Sequence, residues 1–155
     1  MNNISTPTIS TSIQIFLIDD YQPVLWGLAK LIDGEYPHMR LVGKASSRRA
    51  ALTGVIRHKP DVVLLDHKLS NESSLDFLSQ LAVQGQHRIL FLTGQNYSAE
   101  LTRQTLALGA CGVISKEAPA ELLLHAIDCA YSQGQWSDLF VQINPISDRR
   151  TIARH

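Results

Sequence analysis

At 155 residues with 45% hydrophobic content, the chain is sized for one domain with a sizeable core and short tails. Lys plus Arg 14 against Asp plus Glu 14 leaves no net charge, so no whole-chain field draws in nucleic acid or an anionic membrane, and no basic patch is read within the body. No apolar run spans a bilayer, the opening residues lack the basic and apolar regions of a signal peptide, and Cys111 and Cys129 sit within apolar segments, all of which points to a reducing, cytoplasmic setting.

Met1 to Ser12 is polar and Ser/Thr-rich and is read as a disordered leader. From there, short apolar runs alternate with amphipathic stretches. Ile13–Ile18 (IQIFLI) is the first strand. Pro23 then suits a first helical turn, Val24, Leu25, Leu28, Leu31 and Ile32 follow at helical spacing, and Gly34 stops the helix. Arg40–Ala45 is a second strand, and Ser46 or Ser47 caps a helix that runs to about Lys59 before Pro60. Val62–Leu65 (VVLL) is a third strand, followed by a helix capped by Ser73 or Ser74 with Leu75, Leu78, Leu81 and Ala82 on its apolar face. Ile89–Leu92 (ILFL) is the fourth strand, Ser98 caps a helix ending at Gly109, Gly112–Ser115 is the fifth strand, and Pro119 opens a last helix that ends at Gly134. Gln135–His155 breaks the rhythm, with turn residues and a basic end, and is read as a linker or tail. Five strands alternating with five helices predict an α/β, doubly wound parallel sheet covered on both faces, in which continuously apolar strands are expected.

Ligands of such sheets bind at the carboxyl ends of the strands. Asp19 and Asp20 follow the first strand, Asp66 the third, Thr93 the fourth and Lys116 the fifth. Three carboxylates brought together repel one another unless a divalent cation sits among them, and Mg²⁺, with oxygen ligands and retained waters, suits that set. A carboxylate facing an anionic phosphoryl donor needs the same compensation; the metal spreads charge on the transferring group, Thr93 donates to one phosphoryl oxygen, Lys116 pairs with another, and the product is an aspartyl phosphate.

The segments IFLIDDYQPVLWGL, DVVLLDHKL, ILFLTG and GACGVISKEAPAELLLHAI resemble the receiver domains of two-component response regulators, over about Ile13 to Gly134. The ending SKEAPAELLLHAI is most similar to receivers of the NarL/LuxR-type (FixJ-like) transcriptional regulators. That resemblance implies the flavodoxin-like strand order 2-1-3-4-5 and a receiver domain over residues 13–134. Carried over position by position, it implies Asp19 and Asp20 as the acidic metal pair, Asp66 as phosphoacceptor and metal ligand, and Lys68 lending a backbone carbonyl to Mg²⁺. Thr93 becomes the switch hydroxyl and Lys116 the active-site lysine. The implied partners are a cognate histidine kinase or phosphotransfer protein and a second copy in a homodimer, with no membrane and, for this chain alone, no nucleic acid. Such a receiver is no enzyme beyond catalysing its own phosphorylation and dephosphorylation. Transcriptional output would come from a DNA-binding module outside this chain, which is then either a truncated regulator or a stand-alone receiver.

The sequence departs from the family at Ser70 and Ser74, where receivers usually carry Pro and Gly, so the loop after Asp66 is expected to be mobile or differently shaped. Val113 stands where an aromatic is usual; Tyr97 is either its substitute or a loop aromatic. Leu69 keeps the usual apolar residue. His67 is read as an exposed loop histidine or a partner contact, and Trp26, off the apolar stripe, as a docking residue or surface cover. Lys68, two residues past Asp66, is expected to lie over the phosphoryl group as a lid, tuning dephosphorylation, or to point to solvent. A nucleotide-binding fold would need a glycine-rich turn where Asp19-Asp20-Tyr21-Gln22-Pro23 stands, and a haloacid-dehalogenase phosphatase an Asp at position 68, which is Lys. A receiver-like interaction module that is not phosphorylated stays open as the alternative.

Overall fold

The computed structural model describes residues 12–94 and 97–136. The expected leader therefore lies outside the described residues apart from Ser12, and the expected tail apart from Gln135 and Trp136. In chain order the elements are β1 (Ile13–Ile18), α1 (Gln22–Asp33), β2 (Met39–Ala45), α2 (Arg48–His58), β3 (Val62–Asp66), β4 (Lys68–Leu69), β5 (Glu72–Ser73), α3 (Leu75–Ala82), β6 (Arg88–Thr93), α4 (Ala99–Ala107), β7 (Gly112–Ser115) and α5 (Ala120–Gln133). The main sheet has the order β2-β1-β3-β6-β7, all pairs parallel, which is the expected 2-1-3-4-5 once the two short strands β4 and β5 are set apart in a ribbon of their own.

Alternate residues of each strand serve two cores, which is why the strands are apolar throughout. Ile13, Ile15 and Leu17 of β1, Leu64 of β3 and Ile114 of β7 pack against Leu25, Ala29 and Ile32 of α1 and Ala126, Ile127 and Ala130 of α5. Phe16, Ile18, Val63, Leu65, Phe91 and Val113 face the other way, onto Ala51 and Val55 of α2 and Phe77, Leu78 and Leu81 of α3. The buried Phe16 ring is wedged between two glycines. A Cβ on Gly43 would stand 2.7 Å from Phe16 Cε2, and one on Gly54 2.3 Å from Phe16 Cζ. The register of β1 and β2 slips by one residue at the same place, between Ile15 and Phe16.

The helix ends follow local chemistry. Ser47, not Ser46, caps α2, its hydroxyl accepting from the Ala50 N–H at 3.2 Å, and Ser98 caps α4 through the Leu101 N–H at 3.1 Å. Ser74 precedes α3 without a side-chain cap bond, and the Ser73 hydroxyl instead accepts from the Leu75 N–H. Gly134 closes α5 in the left-handed region, at φ 79°, whereas Gly34 closes α1 in a right-handed conformation that any residue adopts.

Two features stand out. Of the two forms expected for the segment after Asp66, mobile or differently shaped, it takes the second: a tight antiparallel ribbon, Lys68 opposite Ser73 and Leu69 opposite Glu72, turned by Ser70 at φ 55° and Asn71 at φ 63°. Two consecutive positive φ values are what a two-residue type I′ hairpin needs, so Ser-Asn takes the place of the commoner Asn-Gly. Contrary to the expectation from net charge, the body also carries a basic face. Between Tyr36 and Pro60 the sequence has six Lys or Arg residues and no Asp or Glu, and the fold gathers them on the edge strand β2 and on α2, its neighbour in the chain.

Candidate functional site

The parallel register brings the chemistry to one edge. Ile18 lies beside Leu65, so Asp19 and Asp66 emerge next to each other, both almost fully buried, at 1% and 4% exposure, with Asp20 exposed beside them. One carboxylate oxygen each from Asp19, Asp20 and Asp66 lies within 4.8 Å of the others. Asp66 and Thr93 are the last residues of their strands rather than the first after them. Thr93 pairs with Ser115, and the Lys116 N–H donates to the Thr93 carbonyl at 2.9 Å. From there Lys116 reaches back across the strand ends, Nζ standing 2.8 Å from Asp66 Oδ1 and 3.0 Å from Asp19 Oδ2. The expected five side chains are thus assembled at one place. The Thr93 hydroxyl is buried and, among the described residues, makes one long bond, donating to the Ile114 carbonyl at 3.5 Å.

The electrostatics split the two buried acids. Burial raises the Asp19 carboxyl above its ordinary range; the Asp66 charge adds to this, and the Tyr21 N–H at 2.9 Å and the Lys116 ammonium only partly oppose it. Burial also works to raise Asp66, but the His67 ring and the Lys116 ammonium outweigh it and hold that carboxyl below its ordinary range. Lys116 loses some of its charge preference to burial and regains more from Asp66 and Asp19, so it is raised and stays an ammonium. Three carboxylates against one ammonium leave two net negative charges in a largely buried pocket of oxygen donors. That donor set fits a hard divalent cation such as Mg²⁺, with waters completing the shell.

Around this core the sequence reading missed three contacts. The Ser70 N–H, in the hairpin turn, donates to an Asp20 carboxylate oxygen, so the β4–β5 ribbon is tied to the acidic cluster. His67 is not an exposed loop histidine: its side chain is 25% exposed, Nδ1 lies 3.5 Å from Asp66 Oδ1, and its ring meets Tyr97 edge-on with centroids 5.7 Å apart. Tyr97 is likewise more than a loop aromatic. It packs on Phe91 at 6.0 Å and its hydroxyl bonds that of Thr105 on α4, while Val113 is buried in the core. Only the pairing of Ser70 with Asn71, two polar turn-formers between Leu69 and Glu72, could have signalled the ribbon.

Lys68 is exposed at the start of the ribbon and borders a cleft of about 500 Å³ with His67, Gly94, Tyr97 and Leu101. Leu69 is buried, and so is Ser74. Trp26 is 65% exposed on α1, with Lys30 Nζ 4.8 Å above its ring, and lies off the buried stripe as expected. Cys111 and Cys129 are both free, and burial pushes the Cys111 thiol up to about 11. Among the described residues no helix is long and apolar enough to cross a membrane.

Comparison with known proteins agrees with this architecture. Residues 15–128 match the response regulator receiver domain family. The chain is 29% identical over 143 residues to the transcriptional regulatory protein DesR of Bacillus subtilis (strain 168), covering 88% of this chain and 70% of DesR. It is 34% identical over 114 residues to the transcriptional activator protein ExaE of Pseudomonas putida, covering 73% of this chain and 52% of ExaE. The chain thus spans between about half and about seven tenths of the length of these relatives. Among solved structures, a LuxR-family two-component response regulator from Aurantimonas sp. SI85-9A1 superposes with a TM-score of 0.75 at 23% identity, over 90% of this chain and 99% of that one. The response regulator domain of Thermotoga maritima CheB gives 0.69 at 25% identity, over 77% and 96%. With its site at the carboxyl edge of a 2-1-3-4-5 sheet and this match over most of its length, the chain belongs to the response regulator receiver family.

Proposed function

We propose that the chain is a phosphorylation-controlled switch that accepts a phosphoryl group on Asp66 from a histidine kinase or phosphotransfer protein. The observation that carries this reading is the bridging of Asp66 and Asp19 by the Lys116 ammonium, within a cluster whose three carboxylates leave two negative charges uncompensated. Asp66 is the acid held in the ionised form, as a nucleophile must be. Asp19, Asp20 and Asp66, with the Lys68 carbonyl, would hold Mg²⁺, which when bound supplies charge compensation for an incoming anionic phosphoryl group. Lys116, paired with Asp66 before transfer, would follow the new negative charge onto a phosphoryl oxygen, and the Thr93 hydroxyl would donate to another. The bond formed is Asp66 Oδ–P; the bond broken is that between phosphorus and the donor's leaving atom.

Self-phosphorylation and its reversal are then the only chemistry of the domain, residues 13–134. It works in the cytoplasm, with transcription controlled through a DNA-binding module, as the names of DesR and ExaE suggest for those proteins. Phosphorylation strengthens a homodimer of receivers. Intact-mass measurement after incubation with acetyl phosphate tests the core of this. Wild type gains one phosphoryl group in Mg²⁺ and none in EDTA, and Asp66→Ala gains none under either condition. Labelling that persists in EDTA, or in Asp66→Ala, refutes it.

A further inference from the structure

The basic face formed by β2 and α2 takes no part in the phosphoryl site, and we infer that it binds the phosphate backbone of duplex DNA without sequence preference. Its cations are Arg40 on β2, and Arg49, Arg57 and Lys59 on and just after α2, with Lys44 of β2 at its edge, all exposed. None of the five has a carboxylate within 4 Å among the described residues. The sixth, Arg48, is spent within the fold, donating to the Ser73 carbonyl at 2.6 Å and facing Glu72 at 3.7 Å and Asp76 at 4.0 Å.

The geometry makes a strip rather than a scatter. Ala51 and Val55 turn the inner side of α2 to the core. Arg49, Thr53 and Arg57, four and eight residues along, fall within an arc of about 80° on the opposite side, with the two guanidinium stems about 12 Å apart along the axis. Arg40 pairs in register with Gln14, two residues before Phe16, and so shares the α2 side of the sheet; Lys44 pairs with Leu17 and flanks the same edge strand from the other side. β2 is the terminal strand of the sheet, so nothing in the sheet covers this edge.

The chemistry separates DNA from a protein partner. Protein interfaces are anchored by buried aromatic and large apolar side chains ringed by polar ones. On this face the single large exposed apolar side chain of α2 is Ile56, and β2 offers none. What it offers is separated, unpaired cations, three of them guanidinium forks that match phosphate oxygens. A duplex, at one negative charge per about 1.7 Å of axis, presents several phosphates over the length of the strip. Because the whole chain is neutral, this attraction is local and was hidden in the total.

Salt dependence tests it. Four phosphate contacts, from Arg40, Arg49, Arg57 and Lys59, predict a roughly 150-fold loss of affinity for a short random-sequence duplex between about 50 and about 200 mM salt. The double variant Arg49→Gln/Arg57→Gln keeps two contacts, binds more weakly at the low end, and loses only about 12-fold over the same range. Arg149→Gln/Arg150→Gln, in the basic end of the chain, keeps the wild-type slope. Anisotropy of a labelled duplex with the full 155-residue chain reads all three, and equal melting temperatures show that the variants are folded. The inference is overturned if wild type does not bind at low salt, or if the α2 variant keeps the wild-type slope. It is equally overturned if the slope follows Arg149 and Arg150, or if polyglutamate competes better than duplex, which would make the partner an acidic protein.

Discussion

Replacing Lys116 by Met keeps the apolar stem and removes the ammonium, and the site geometry says what that costs. The ammonium lies 2.8 and 3.0 Å from buried oxygens of Asp66 and Asp19. At an effective dielectric of about 20, each contact is worth about 5–6 kcal/mol of gross Coulomb attraction. Lys116 is 23% exposed, so water screens part of this, and the wild type has already met the cost of desolvating three charges. Breaking a buried pair typically costs 3–5 kcal/mol, and partial exposure favours the lower end, so we expect a loss of about 3 kcal/mol in metal-free buffer. In a domain of this size that is a fall of about 10 °C in melting temperature.

Two signatures tie that loss to charge rather than to packing. Asp19 is already held above its ordinary range, so without Lys116 it takes up a proton as pH falls. A group raised in the folded state adds stability below its unfolded value and loses it as pH rises through the folded one. The penalty of Lys116→Met is therefore smaller near pH 5 than near pH 8. Mg²⁺ should also raise the melting temperature of the variant more than that of wild type, because the variant cluster carries one more uncompensated negative charge. Urea melts in EDTA and in Mg²⁺ at both pH values measure all of this. A loss under about 1 kcal/mol in EDTA at pH 8, or equal Mg²⁺ stabilisation of both proteins, refutes the electrostatic account.

Other perturbations probe separate parts. Lys68→Ala or Lys68→Asn is expected to speed loss of the aspartyl phosphate several-fold with Mg²⁺ affinity nearly unchanged, if the side chain shields the phosphoryl group as a lid; decay of pulse-labelled protein at or below the wild-type rate refutes the lid. His87 donates Nε2–H to the Leu81 carbonyl at 2.8 Å, and burial lowers it below the ordinary 6.5. Between those values the unfolded chain binds more protons than the native one, so stability falls as pH drops below about 6.5. His87→Gln should flatten that part of the stability–pH curve, and an unchanged slope counts against a buried neutral imidazole. Gly54→Ala gains about 1 kcal/mol of helix propensity but drives a methyl into the buried Phe16 ring, at 1–3 kcal/mol or more, so the net is destabilising. Chemical denaturation of Gly54→Ala with and without Phe16→Leu checks this, since the smaller side chain should recover part of the loss. Beryllofluoride is expected to tighten a homodimer by less than about a hundredfold, ~2.7 kcal/mol, since Val113 gives β7 no aromatic to turn; sedimentation equilibrium reading a larger change contradicts that.

Nearly all of the sheet and all five of the side chains gathered at its carboxyl edge were legible because strand ends impose them. A continuous apolar run followed by Asp19-Asp20, by Asp66, by Thr93 or by Lys116 leaves little freedom about where those side chains go once the strands are parallel. Asp20 joined the cluster as expected, yet its partner was hidden, because the Ser70 N–H reaches it from 50 residues away and through a turn of positive φ. Asn71 tolerates that conformation but Ser70 has no strong preference for it, so the Ser-Asn pair is only a weak turn signal; the two-residue strands it joins, Lys68–Leu69 and Glu72–Ser73, are too short to show a period of their own. His67 and Tyr97 were misjudged for a related reason. Both sit in connections, where sequence periodicity says nothing about burial, and only the approach of the strand ends puts one ring against the other.

The basic face shows the opposite kind of blindness, in which the signal lies in the sequence but the summed quantity discards it. Twenty-odd residues without an acid are invisible in a net charge of zero, and become a surface only when an edge strand and its following helix are folded side by side. The acids that balance them lie elsewhere, three of them in the cluster of Asp19, Asp20 and Asp66. A receiver built this way would present opposite potentials to a metal-bound phosphoryl group and to a polyanion, on different edges of one sheet. Neutralising three carboxylates at one edge would then leave the cations of the other unopposed, so the charge seen by a polyanion should rise when Mg²⁺ is bound. Mg²⁺ also competes for the DNA phosphates, so the duplex affinity in Mg²⁺ and in EDTA at matched ionic strength bears on both sites only as a comparison of proteins: wild type should lose less affinity in Mg²⁺ than Asp66→Ala, which has one metal-binding carboxylate fewer to neutralise, whereas equal losses would mean that the two edges do not communicate through charge.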